Sequence, residues 1–314
     1  MTSGGIRRSI KASVAVAFAM LCSVVQAAPH PWQMNMERGA STWSGVPYSL
    51  NNIALGVCVV IGVLVFGAMF VAMFRFRKSR GAVAEKWSHN LLVEITWITI
   101  PVLILATLAY MATGGLVSWS DTTGSQMTVK VTGYQWKWRY DYVEYMGKPI
   151  AKVGFMSKLD TRSDETRQLG SGMNPYAVKQ GQENTYLLDV DKPLVIPVDT
   201  KVRFVITSGD VIHSWWVPAI GWKLDAVPGV INAAWTNITK TGTYRGQCAE
   251  LCGQDHGFMP IVVVVKSKAD FATWLAQQEA ASAAPAAATA TVPTTVDNTA
   301  VTADVSEQAG ARRG

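Results

Sequence analysis

Met127-Thr-Val-Lys-Val-Thr-Gly133-Tyr-Gln-Trp-Lys-Trp-Arg-Tyr-Asp-Tyr142 is the stretch on which the fold turns. It first alternates in single steps, and then Tyr134, Trp136, Trp138, Tyr140 and Tyr142 all fall on one parity. Period two carried by aromatic and β-branched residues predicts a strand with one strongly aromatic face. Tyr186 to Val190, Leu194 to Val198, Lys201 to Thr207, Ser214 to Val217 and Ile261 to Val265 predict further strands, separated by Pro and Gly turns. That rhythm is the rhythm of a small antiparallel sandwich or barrel. Lys158 to Asn174 is polar and holds Gly170-Ser-Gly172, which predicts an exposed loop. Ser267-Lys-Ala-Asp270 reads as a helix N-cap, and Phe271, Trp274 and Leu275 follow at helical spacing, so one short helix closes the domain. The β domain is therefore expected over residues 121–279. Residues 280–314 are rich in Ala and Thr, without aromatic residues or periodicity, and read as a disordered tail.

Upstream the pattern is that of a membrane protein. Ile53 to Phe74 is 22 residues without a charge, and Ile95 to Val117 is 23. At 1.5 Å per residue each is long enough to cross a hydrocarbon core of about 30 Å. Residues 28–120 are thus expected to form a periplasmic N-terminal segment and a two-helix transmembrane hairpin. Arg75, Arg77, Lys78, Arg80 and Lys86 lie between the spans against the single acid Glu85. The positive-inside rule puts that connection in the cytoplasm and both termini outside. Arg7, Arg8 and Lys11, an apolar run from Ala12 to Val25, and Val25-Gln26-Ala27 read as a secretory signal over residues 1–27, with a short signal anchor as the alternative. Signal and charge bias give the same topology.

Composition sets the outer bounds. Hydrophobic residues make up 49% of the 314 and charged residues 16%, against about 25% charge in an ordinary soluble domain. A wholly soluble chain is not expected. The net charge of +6 sits at the membrane flanks rather than on the β domain, which argues against a nucleic-acid partner. Glu94, at the cytoplasmic edge of the second span, reads either as an interfacial carboxylate or as a proton-handling group.

The chemistry concentrates in two short segments. Of four Cys and four His in the chain, the β domain retains His213, Cys248, Cys252 and His256. The second segment runs Gly246-Gln-Cys248-Ala-Glu250-Leu-Cys252-Gly-Gln-Asp-His256-Gly-Phe-Met259-Pro260, a C-x3-C-x3-H-x2-M pattern. Its glycines and proline favour a compact loop over a helix. A Cys248–Cys252 disulfide fits an extracytoplasmic compartment but leaves His256 and Met259 unexplained. Structural zinc has no use for a thioether. Copper suits thiolate, imidazole and thioether together. A mononuclear blue-copper site would need only one thiolate. Two thiolates can instead bridge two coppers, with one His for each metal and the rest of the coordination from Met259 and a backbone carbonyl. A site so closed carries electrons and does no bond chemistry. His213, taken alone, reads first as a core histidine beside Trp215 and Trp216, but as one of only two His in the domain it reads as a ligand.

Gly-Tyr-Gln-Trp-Lys-Trp, Val-Ile-His213-Ser-Trp-Trp-Val-Pro and Cys248-Ala-Glu-Leu-Cys252-Gly-Gln-Asp-His256-Gly-Phe-Met259, behind a signal and two spans, resemble subunit II of bacterial haem-copper cytochrome c oxidases. The resemblance covers roughly Trp43 to Gln278. It implies an all-β cupredoxin-like sandwich in the periplasm, on a bacterial inner membrane, holding the dinuclear copper centre CuA. It implies His213, Cys248, Cys252, His256 and Met259 as side-chain copper ligands and Glu250 as the source of a backbone carbonyl. It further implies that the Glu250 side chain meets a magnesium or manganese ion at the subunit I boundary, and that electrons enter at Trp136, beside Gln135. Without the resemblance, Trp136 reads as a buried strand aromatic. Tyr134 stands where many members carry His, at a position that is not a ligand. Asp141, Asp210 and Asp225 match acidic positions near the docking face or the subunit I contact, and Glu94 matches a glutamate at a proton-pathway entrance. The implied partners are haem-bearing subunit I, subunit III, cytochrome c as donor, and membrane lipid. A copper-free quinol oxidase subunit of the same fold lacks this ligand set, and a copper-delivery protein requires an open site.

Overall fold

The computed structural model describes residues 33, 35–167 and 185–283. The signal at 1–27, residues 284–314 of the expected tail, and Gly170-Ser-Gly172 lie outside the described residues.

Two long helices come first: α1, Gly45–Arg75, and α2, Leu91–Ser120. Neither has a buried residue, and their apolar side chains point outward all round. Such a surface is stable only in lipid. The chain is a membrane protein with two spans. Both helices are longer than the uncharged runs because their outer turns continue past the apolar stretch toward the β domain. At the other end Asn90 caps α2, its side chain accepting from Leu92 N at 3.1 Å and Val93 N at 3.3 Å. Glu94 reaches back to Asn90 N at 3.2 Å and completes the cap.

The remainder is a β-sandwich. One sheet holds β1 (Met127–Tyr134), β2 (Lys137–Tyr145), β3 (Lys148–Pro149), β4 (Gly154–Ser157), β6 (Val202–Ser208) and β9 (Asn232–Thr236), in the order β3-β2-β1-β6-β9 with β4 also on β2. The other runs β5-β11-β10-β7-β8, from Leu194–Pro197, Pro260–Lys266, Gly242–Cys248, His213–Trp216 and Lys223–Ala226. A helix α3, Thr161–Arg167, precedes residues outside the description, and α4, Lys268–Ala283, is the last element among the described residues.

Several expectations change here. The opening stretch is a hairpin rather than one strand: Tyr134 pairs with Lys137, and Gln135-Trp136 form the turn. A two-residue turn switches sequence parity between the paired strands, so Trp138, Tyr140 and Tyr142 share the buried face with Val129 and Val131, while Tyr134 lies on the other face with Lys137; the expected single aromatic face does not form. The sheets are mixed rather than antiparallel, because β1 pairs with β6 and β11 with β5 in parallel. Tyr186 to Val190 is turn, with one bridge from Val190 to Leu159. The expected loop from Lys158 contains α3, which Asp160 starts by accepting from Ser163 N at 3.3 Å. The closing helix runs to Ala283, past the expected start of the tail, because Ser267 caps Asp270 N at 3.1 Å and no breaker precedes Pro285.

Between the sheets lies a core in which Trp138, Tyr140, Phe204 and Trp215 are completely buried. Tyr142 joins it, its hydroxyl bridging both the carbonyl and the N–H of Val195 at 2.9 Å. Burial pushes the Tyr140 and Tyr142 hydroxyls well above the ordinary tyrosine range. Above pH ~10 the unfolded chain releases these protons and the folded chain keeps them. The stability they contribute is therefore intact below pH ~10 and is lost as pH rises beyond it, by about 1.4 kcal/mol per tyrosine per unit. Unfolding midpoints measured between pH 9 and 12 are expected to fall with about that slope for each of the two, and a flat profile contradicts this.

The domain is pinned to the outer ends of the helices. Trp119 of α2 sits between Trp43 and Trp222, with ring centroids 6.2 and 6.4 Å away. Trp235 donates to Ser118 O at 3.0 Å, and the segment before α1 bonds to the domain through Ala40 N to Ala219 O and Thr42 N to Asn237 O. Lys201 adds bonds to the carbonyls of Asp121 and Thr123.

Candidate metal centre

The β10–β11 connection carries the loop, and β7 supplies the residue facing it. Cys248 is the last residue of β10, Pro260 the first of β11, and Trp215 pairs with Cys248 across β7 and β10. His213, two residues before Trp215, is completely buried. It enters beside Gly133 of β1, where an added Cβ would lie 2.8 Å from the imidazole Cδ2. Glycine at 133 is thus a packing requirement of the site.

All five side chains expected from the sequence converge. The two sulfurs of Cys248 and Cys252 stand 3.9 Å apart. His213 Nδ1 is 4.0 Å from Cys248 Sγ, His256 Nδ1 is 3.5 Å from Cys252 Sγ, and Met259 Sδ is 3.6 Å from Cys252 Sγ. The Glu250 carbonyl lies 3.4 Å from Cys248 Sγ, while its side chain is exposed. Both cysteines are free. A disulfide would need about 2.05 Å between its sulfurs, whereas two thiolates 3.9 Å apart can share a metal at about 2.3 Å from each. Cys248, Cys252, Met259 and His213 are all buried, so water is kept from the donors. Soft sulfur with imidazole in a dry pocket fits copper.

Electrostatics favour a charged thiolate. Burial pushes the Cys248 thiol up, but hydrogen bonding to His213 and to the backbone at Ser214 and Glu250 outweighs it and holds the thiol near 7. Burial and the adjoining Cys248 raise Cys252, so of the two thiols it is the one that holds its proton more firmly. A metal taking both sulfurs displaces that proton.

Outer contacts aim the ligands. His213 Nε2 lies 2.9 Å from Asp210 Oδ1, which leaves Nδ1 toward the sulfurs. Asp210 also accepts from Gln135 N at 2.7 Å, and Gln135 Nε2 donates to Cys252 O at 2.9 Å. Trp136 is half-buried and covers Gly253 in the loop, where an added Cβ would lie 3.1 Å from its ring. Trp138 Nε1 donates to Met259 O at 3.3 Å, and its ring meets His213 edge-on at 5.9 Å. Asp210→Asn is expected to lower copper retention about 10- to 100-fold with the circular dichroism unchanged. A competition titration against a chelator measures it, and unaltered retention removes Asp210 from the site.

Other expected residues lie elsewhere. Glu94 is in the first turn of α2, about 39 Å of helix from Ser120. Asp141 is held by Arg139 Nε at 2.9–3.0 Å, and Asp225 faces Lys223 Nζ at 3.5 Å. Sequence reasoning missed Trp138 as a support for two ligands and Asp210 as the partner of His213. The signal for Asp210 was its spacing three residues before a ligand histidine.

Fold and donors together define a membrane-anchored, cupredoxin-like protein with a His/Cys cluster that fits copper. Residues 127–266 match the profile of "Cytochrome C oxidase subunit II, periplasmic domain", and residues 29–113 match that of "Cytochrome C oxidase subunit II, transmembrane domain". The chain belongs to the cytochrome c oxidase subunit II family. It is 41% identical to the probable cytochrome c oxidase subunit 2 of Rickettsia prowazekii over 248 residues, 79% of this chain and 73% of that one. It is 33% identical to the mitochondrial cytochrome c oxidase subunit 2 of Glycine max, over 80% of this chain and 60% of that one. Among solved structures it is similar to the periplasmic domain of subunit II of cytochrome oxidase of Bradyrhizobium japonicum, at 36% identity and a TM-score of 0.42, over 52% of this chain and 99% of that one.

Proposed function

We propose that this chain is the electron-entry subunit of a terminal respiratory oxidase, accepting electrons from a cytochrome c at a dinuclear CuA centre and passing them to haem in subunit I. The observation that carries the reading is the pair of unbonded sulfurs 3.9 Å apart, with His213 Nδ1 4.0 Å from Cys248 Sγ and His256 Nδ1 3.5 Å from Cys252 Sγ. When bound, such a copper pair takes up and releases one electron without making or breaking bonds to a substrate. The chain's own residues do the rest. Cys248, Cys252, His213, His256, Met259 and the Glu250 carbonyl would hold the pair. Burial of the sulfurs excludes water, and the contacts of Asp210, Gln135 and Trp138 hold the donors in one arrangement, so little has to move on reduction.

Trp136, over the loop and half exposed, is the electron-entry residue, with Gln135 beside it. The exposed Glu250 carboxylate is the candidate for a magnesium or manganese ion at the subunit I boundary. Asp141, Asp210 and Asp225 are candidate docking acids, though Asp210 is also held by His213. Glu94, besides capping α2, remains the candidate at a proton-pathway entrance. The basic connection between the spans supports a topology with the β domain and both termini on the periplasmic side of a bacterial inner membrane, with subunits I and III as the partners. The test is metal analysis and electron paramagnetic resonance of the detergent-purified full chain loaded with copper. Two coppers sharing one unpaired electron support the reading; a single blue copper, zinc or a metal-free disulfide defeats it.

A further inference from the structure

The two histidines of the site are held differently. His213 has Asp210 on its outer nitrogen, at 2.9 Å. His256 has no hydrogen bond at Nε2 among the described residues, and the backbone that carries its ring helps to set the ring's direction. That backbone is a single 3-10 turn, His256–Phe258, with no side-chain cap. A turn of this kind is weakly held by its own bonds, and His256 N reaches Gly253 O only at 3.3 Å.

Arg167, the last residue of α3, grips the turn from outside. Its Nη1 and Nη2 donate to the two carboxylate oxygens of Asp255 at 3.1 and 3.3 Å. The guanidinium carbon lies 4.2 Å from the centre of the Phe258 ring. Nε is tied back to Asp164 at 2.8 Å, which fixes the fork to its own helix. Asp255 immediately precedes His256, and Phe258 immediately precedes Met259. One cation therefore holds both residues that flank two of the proposed ligands. The pair is also partly shielded, with side-chain exposures of 22% for Arg167 and 25% for Asp255. Planarity matters here, because only a guanidinium offers a two-pronged bond to a carboxylate while lying against a ring.

We propose that Arg167 is a positioning residue of the copper site, acting through Asp255 and Phe258 to fix His256 and Met259. This rests on the dinuclear copper reading given above. It assigns a role to α3, a helix outside both sheets and outside the ligand segments.

The test compares the copper-loaded full chain with Arg167→Ala, Arg167→Lys and Asp255→Asn. Reduction potential, hyperfine pattern and the rate of copper loss to a chelator are read, with thermal unfolding as the control for fold. Arg167→Ala and Asp255→Asn are expected to shift the potential, alter the hyperfine pattern and speed copper loss about tenfold. Arg167→Lys is expected to recover only part of this, since it restores charge without the fork. Should Arg167→Ala fail to fold, Asp255→Asn, of nearly the same shape, decides alone. Potential and copper loss equal to the parent's, even with a lower melting temperature, overturn the proposal and leave the copper reading standing. A parent chain without a dinuclear signal overturns both.

Discussion

Cys252→Ser is expected to abolish the shared-electron copper signal of the full chain and, with it, electron uptake from cytochrome c. The sulfur it removes lies 3.9 Å from Cys248 Sγ, 3.5 Å from His256 Nδ1 and 3.6 Å from Met259 Sδ. No other described donor is so placed as to replace it. A serine hydroxyl is a harder ligand and stays protonated at neutral pH, so it cannot bridge as a thiolate does. What remains is one thiolate, two imidazoles and a thioether, the set of a mononuclear blue-copper centre. Bound copper is therefore expected to fall from two per chain to at most one, by metal analysis and electron paramagnetic resonance together. Two coppers with an unaltered spectrum in Cys252→Ser would falsify the bridging role.

Trp136→Ala should separate electron arrival from metal binding. The indole covers Gly253 of the loop and packs at the edge of the core, and its Nε1 has no hydrogen-bond partner among the described residues. Removing it leaves the contacts of Asp210, Gln135 and Trp138 with the donors in place. Copper content and spectrum are expected to stay as they are. The rate of reduction by cytochrome c should fall at least about tenfold, equivalent to about 1.4 kcal/mol in barrier. Stopped-flow reduction of the assembled oxidase measures this, and an unchanged rate takes Trp136 out of the pathway.

The spans and the donors were legible in the sequence because each depends on residue type at close spacing. An uncharged run of 22 residues has one physical solution, and Cys248, Cys252, His256 and Met259 stand within twelve positions of one another. The strands that escaped notice have weaker local patterns. β8 is Lys-Leu-Asp-Ala, and β9 is Asn-Ala-Ala-Trp-Thr, whose place beside β6 is set by tertiary pairing. The turn at Gln135-Trp136 was hidden because aromatic residues stand at every second position straight through it, although the reversal puts Tyr134 and Trp138 on opposite faces. Arg167 and Asp255 lie 88 positions apart, and nothing in a linear reading joins them.

The attachment of the sandwich to its spans bears on how traffic must be organised. Were residues 121–126 the sole connection, the head could swing and fetch its cargo. Instead the indoles of Trp43, Trp119 and Trp222 and the bond from Trp235 to Ser118 O lock it upright. It is a fixed landing stage rather than a crane. On the proposed electron-entry reading, the mobile carrier has to make the whole journey to a head held fast against its own spans.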